Sequence, residues 1–197
     1  MTAHYQIRAD YDSTTIVVYQ AYAPYIALPA LEKQRFVEPF SFNRMTWIKP
    51  SFLWLMERSN WGQKSGQEHI LAVRIKRSGF DEALSLGILT HPELSIYKSA
   101  ELWRSEFKTS VVNIQWDPER SIRWAHLSYD SVQIGLSRQI IRRFVDEWIV
   151  SIQDLTPTVR KIQTFVKAGD FDKAKKYLPI ERIYPVTPEI AKRIMMG

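Results

Sequence analysis

A chain of 197 residues with 45% hydrophobic and 24% charged residues has the composition of one globular domain. It has no cysteine, which excludes disulfides, thiolate nucleophiles and cysteine-ligated metals, and its four histidines share no ligand-like spacing, so no metal is expected. The net charge of +6, from 27 basic against 21 acidic residues spread along the whole chain, is compatible with a polyanionic partner.

The opening residues, MTAHYQIRAD, lack the apolar run of a secretory leader, and no stretch approaches the ~18 consecutive apolar residues of a membrane helix. The chain therefore reads as cytoplasmic, with no membrane partner. STTIVVYQAY, β-branched and aromatic, predicts a strand from about Thr15 to Ala21. APYIALPALEKQ follows as a helix that Pro29 should kink or shorten, and VEPFSFN as a loop. Met45 to Ile48 read as extended, and Pro50 suits the first turn of a helix running to about Asn60. HILAVRIKR, residues 69–77, is a second strand, in which Ile70, Ala72, Arg74 and Lys76 alternate with Leu71, Val73 and Ile75. GFDEALSLG predicts a short helical turn, and AELWRSEFKTS a helix with Leu102, Trp103 and Phe107 inward. VVNIQWD, IRWAHL and SVQIGL then read as three short strands separated by PERS and SYD. SRQIIRRFVDEW has the strongest helical pattern in the chain: Ser137 can cap it, and Ile140, Ile141, Phe144, Val145 and Trp148 line one face. WIVSIQDL predicts a last strand, TPTVRKIQTFVKAG a helix from Pro157 to a stop at Gly169, and DFDKAKKYLP a short basic helix before a mixed tail. Strands interrupted by unequal helices, without regular alternation, predict an α+β fold. The expected organisation is a single domain, 1–197, with residues 156–197 as a helical extension packed on it.

The usual catalytic strings are missing: no G-x-G-x-x-G, no phosphate loop, no H-E-x-x-H and no G-x-S-x-G. Chemistry would fall to aromatic, amide, hydroxyl and guanidinium groups. The stretch RMTWIKPSFLW, residues 44–54, concentrates them. Arg44 and Thr46 share one side of the predicted strand, just before a helix N-terminus whose free amides favour anions. Trp47, Lys49 and Ser51 continue the candidate pocket; the alternative is an apolar wall from which Arg44 and Lys49 snorkel. In VYQAY, Val18, Gln20 and Tyr22 share a face, and an amide between apolar neighbours needs a partner, structural or bound. In SVQIGL, Gln133 shares a face with Ser131 and Gly135, and Gly135 leaves space for a close approach; the alternative is a strand amide facing solvent.

The strings IRADYD, TTIVVYQAY, RMTWIKPSFLW, QWDPER, SVQIGL and VDEWIVSIQDLTP together resemble domain of unknown function family 4291, from about Ile7 to Pro185. The layout is also similar to the ADP-ribosyltransferase superfamily. That resemblance implies two small, mostly antiparallel sheets flanked by helices and cradling NAD. It also implies an Arg or His on an early strand, a hydroxyl on a middle strand and a Glu on a later one. Here Gln20 stands at the first position, Thr46 at the second and Gln133 at the third. The implied function is a nucleotide-binding protein, for NAD or ADP-ribose, that transfers ADP-ribose to a macromolecule such as nucleic acid. In it Gln133 and Arg44 would serve the chemistry, and Gln20, Tyr22, Thr46, Trp47, Lys49 and Ser51 the nucleotide. The residues themselves also admit a basic nucleic-acid-binding module that stacks bases on exposed Trp and Tyr. A homodimer built on an aromatic surface is the third reading.

Overall fold

The computed structural model of the protein describes residues 4–196. A two-residue strand, β1 (Arg8–Ala9), precedes the long β2 (Thr15–Tyr22) and the helix α1 (Pro24–Lys33). β3 (Thr46–Ile48) leads into α2 (Phe52–Ser59), β4 (His69–Lys76), α3 (Arg77–Ser85) and β5 (Gly87–Leu89). Next come α4 (Ala100–Lys108), β6 (Val112–Arg120), β7 (His126–Leu136) and α5 (Ile141–Arg143), which widens into a π-helical turn over Phe144–Trp148. The chain closes with β8 (Ile149–Asp154), α6 (Thr156–Lys167), α7 (Phe171–Lys175), β9 (Arg182–Ile183) and α8 (Pro188–Ile194).

The fold is α+β, built on small, mostly antiparallel sheets. One has the order β2-β4-β8 and a second the order β3-β7-β6-β5, antiparallel except for the β5–β6 pair; β1 and β9 form a short ribbon. β2 is apolar on both faces because it separates two cores. Ile16 and Val18 join Leu71, Val73 and Ile75 of β4 in the larger core, which β5–β7 and α3 also line. Val17 and Tyr19 face a smaller one made with α2, α6 and α7. The two large sheets touch where Tyr19 N–H donates to the Lys49 carbonyl at 2.6 Å, so the C-terminal end of β2 lies beside β3. The last forty residues contribute to both cores: Val159, Ile162 and Ala174 to the smaller, Tyr184, Ile190 and Ile194 to the larger. Among the described residues no helix is long and apolar enough to cross a membrane.

Several sequence expectations are corrected. Pro50 is not in the first turn of α2; it precedes the cap, which is Ser51, whose Oγ accepts the Trp54 N–H at 3.3 Å. The three short strands are two long ones, β6 and β7. Pro118 lies inside β6 at a register shift, a bulge that tolerates a missing N–H, and the chain reverses at 121–125 with Trp124 in the left-handed region. The expected regular helix over SRQIIRRFVDEW starts only at Ile141, after a turn in which the Ser137 carbonyl accepts both the Ile140 and the Ile141 amides. Its apolar residues at 140, 144 and 148, and at 141 and 145, repeat every four positions. A 3.6-residue turn lets that repeat drift off the core, and the wider π turn retains it. α3 is a full helix rather than a short turn. In α4 Trp103 and Phe107 pack inward, while Leu102 is exposed.

Candidate functional site

At the meeting of the two large sheets lies a cleft of about 400 Å³. Its walls are the end of β2 (Gln20, Ala21, Tyr22), the segment 44–49, the inner side of α2 (Trp54, Leu55, Arg58), Lys64 and Gln67 from the following loop, and Gln133 of β7. RMTWIKPSFLW is thus both wall and floor. Ile48 and Phe52 are core, while Arg44, Met45, Thr46, Trp47, Lys49 and Trp54 face the cleft. Arg44 and Thr46 do not line it alone, since Met45 and Trp47 from the other side of the strand also reach it. Trp47 lies across Gly135, its partner on β7; an added Cβ there would fall 3.0 and 3.1 Å from the indole.

The floor is a hydrogen-bonded set. Gln20, 2% exposed, shares the two hydrogens of its Nε2 among three acceptors, Thr46 Oγ1 at 2.8 Å, Tyr22 Oη at 3.0 Å and the Trp47 carbonyl at 3.2 Å. The Tyr22 and Thr46 hydroxyls lie 2.8 Å apart. Burial pushes the Tyr22 phenol up to about 12, so it stays protonated at neutral pH. Of the two hydroxyl hydrogens one lies between Tyr22 and Thr46; the other has no acceptor among the described residues. The Gln20 Oε1 is buried and likewise without a partner.

Around this floor stand Arg44, Lys49, Arg58 and Lys64, and none of the lining residues carries a carboxylate. Lys49 Nζ donates to the Trp47 carbonyl at 3.3 Å and lies 5.4 Å from the Trp54 ring, whose neighbour on α2 is the Arg58 guanidinium at 4.9 Å. Burial, and then the Arg58 charge, lower the Lys49 ammonium to about 8. Arg58 is anchored by Asp117 Oδ1 at 3.3 Å, and Asp117 also accepts from Gln115 at 3.0 Å and from Gln133 Nε2 at 2.9 Å.

The structure brings Gln20, Tyr22, Arg44, Thr46, Trp47, Lys49 and Gln133 together; Ser51 is buried as the α2 cap and does not line the cleft. The expected anion site at the α2 N-terminus is already filled. Phe52 N–H donates to Glu181 Oε1 at 2.7 Å, and Trp54 N–H to Ser51. Sequence reasoning missed Trp54, Arg58, Lys64, Gln67 and Asp117. Trp54 and Arg58 carried a signal, an aromatic–cation pair at i, i+4 on one helix face, whereas nothing local marks Lys64 or Asp117. Among the described residues no group of three or more His, Asp or Glu is placed to hold a metal.

No curated protein and no solved structure matches the chain. The family model described as Domain of unknown function (DUF4291) matches residues 6–184, and the chain belongs to that family.

Proposed function

We propose that the cleft binds a diphosphate-bearing nucleotide of the NAD or ADP-ribose class. The observation that carries this reading is the wall itself: four cations, no carboxylate, and two tryptophans around about 400 Å³. Arg44, with no ion-pair partner among the described residues, and Lys49 would meet the diphosphate. The spare hydroxyl hydrogen of the Tyr22–Thr46 pair would go to a ribose or amide oxygen of the ligand. A cytoplasmic location goes with this reading.

The residues fit such a group as a ligand better than as a donor of ADP-ribose. Ribosyl transfer develops positive charge at the anomeric carbon, which a neutral amide cannot stabilise as a carboxylate can. Gln133 stands on the wall, and the Asp117 carboxylate lies behind it, already accepting from two amides and Arg58. Binding is therefore the function put forward, and Gln133 an orienting residue.

Thermal unfolding with added ADP-ribose and NAD tests it. Ligand at about 100 times Kd should stabilise by roughly 2.7 kcal/mol, and Arg44→Ala should remove most of the shift. No shift with either ligand at millimolar concentration overturns the reading. NAD hydrolysis by the wild type would refute the preference for binding over transfer.

A further inference from the structure

The cleft does not end at Arg44. Arg44, Met45 and Thr46 also line a second compartment of about 260 Å³, which takes in Tyr25 and Phe40. Phe40 and Ser41 in turn line a third of about 560 Å³, bounded by Arg138 and Arg142. The three share walls and lie side by side, a trough in three compartments. Along it lie Lys64 and Lys49 at the inner end, Arg44 in the middle, and Arg138 and Arg142 at the outer end. None of these five makes an ion pair with a carboxylate of the described residues; Arg142 instead lies 3.7 Å over the Phe42 ring. Glu38 at the outer end is the one carboxylate on the walls. Tyr25, 64% exposed, offers a free aromatic face beside Arg44.

From this arrangement we infer that the trough holds a single-stranded polynucleotide, its backbone on the row of unpaired cations and one base stacked on Tyr25. A long groove with cations at intervals and an exposed ring between them is what a flexible polyphosphate with splayed bases needs; a rigid duplex cannot bring a base to Tyr25. The inference extends the nucleotide reading from one site to a strand, and it rests on that reading only at the inner end.

Fluorescence anisotropy with labelled twelve-residue strands of RNA and of DNA, and with a duplex of the same length, tests it. The single strands should bind more tightly than the duplex, and the better of the two identifies the natural class. Five neutralised phosphates give a log–log salt slope of about −3.5. The double variant Arg138→Glu/Arg142→Glu, on the exposed outer end, should weaken strand binding at least tenfold and make the slope shallower, with ADP-ribose binding unchanged. Tyr25→Ala should cost roughly 5- to 150-fold, the range for one lost base stack. Strand affinity unaffected by the outer charge reversal, or a duplex bound as tightly, overturns the inference. If ADP-ribose binds while no strand does, the trough is refuted and the nucleotide site stands. If strands bind and ADP-ribose does not, the trough stands and the nucleotide site falls.

Discussion

Replacing Gly135 with alanine adds one methyl group beneath the cleft. The new Cβ would fall 2.7 Å from Met45 Sδ and 3.0 and 3.1 Å from two Trp47 ring carbons. Met45 has flexible torsions and can move aside. The indole must shift by a few tenths of an ångström against β7, and both side chains line the cleft. Overpacking of this kind costs about 1–3 kcal/mol, whereas removing a glycine from the unfolded chain returns about 0.4–1 kcal/mol. The net expectation is a loss of about 1–2 kcal/mol. In urea, with a slope of roughly 2–3 kcal/mol/M, that lowers the midpoint by about half a molar. The assay is tryptophan-monitored urea unfolding of both proteins, followed by titration with ADP-ribose, whose affinity should also fall. A midpoint at or above wild type, with unchanged affinity, would refute the close packing of Trp47 on Gly135 as the support of the cleft floor.

Three further outcomes follow from the same geometry. Gly79→Ala should destabilise by about 3 kcal/mol, since its Cβ would meet Trp148 Cγ at 2.3 Å inside the core; a change within about 0.5 kcal/mol in urea would contradict that contact. Lys49 is charged below about 8 and neutral above it, so ADP-ribose affinity should be level at lower pH and decline as pH rises through 8. Lys49→Arg should hold affinity level to pH 10, and a wild-type profile already flat would remove Lys49 from the ligand. Burial raises the Glu181 carboxyl to about 8, above its unfolded value, so its contribution is complete below about 4.5 and lost as pH rises through 8. Glu181→Gln should therefore gain stability relative to wild type between pH 5 and 8, on the order of 3–5 kcal/mol across that window, and a difference independent of pH would count against the buried acid.

β2 and β4 were legible to within a residue because β-branched runs and strict alternation specify an extended, buried strand wherever it ends up. α6 was legible from Pro157 and Gly169, which act on the backbone locally. Most of the cleft was legible for a similar reason. Residues 44–49 are neighbours in sequence, and β2 is bridged directly to them. The rest depended on groups far apart in the chain. Glu181 reaches the α2 terminus from 129 residues away and fills a site that the local sequence leaves open to an anion. Gln133 finds Asp117 only because β6 and β7 pair in one register, past a bulge at Pro118 that reads locally as a turn. The π turn at Phe144–Trp148 arises where an apolar repeat of four must stay on the core, a demand of packing that no propensity encodes. The outer trough joins α1 and the loop after it to Arg138 and Arg142, a hundred residues on. Local sequence sets backbone conformation and which side chains avoid water. Which carboxylate meets which cation, and which cations are left unpaired for a ligand, is decided only when distant segments pack.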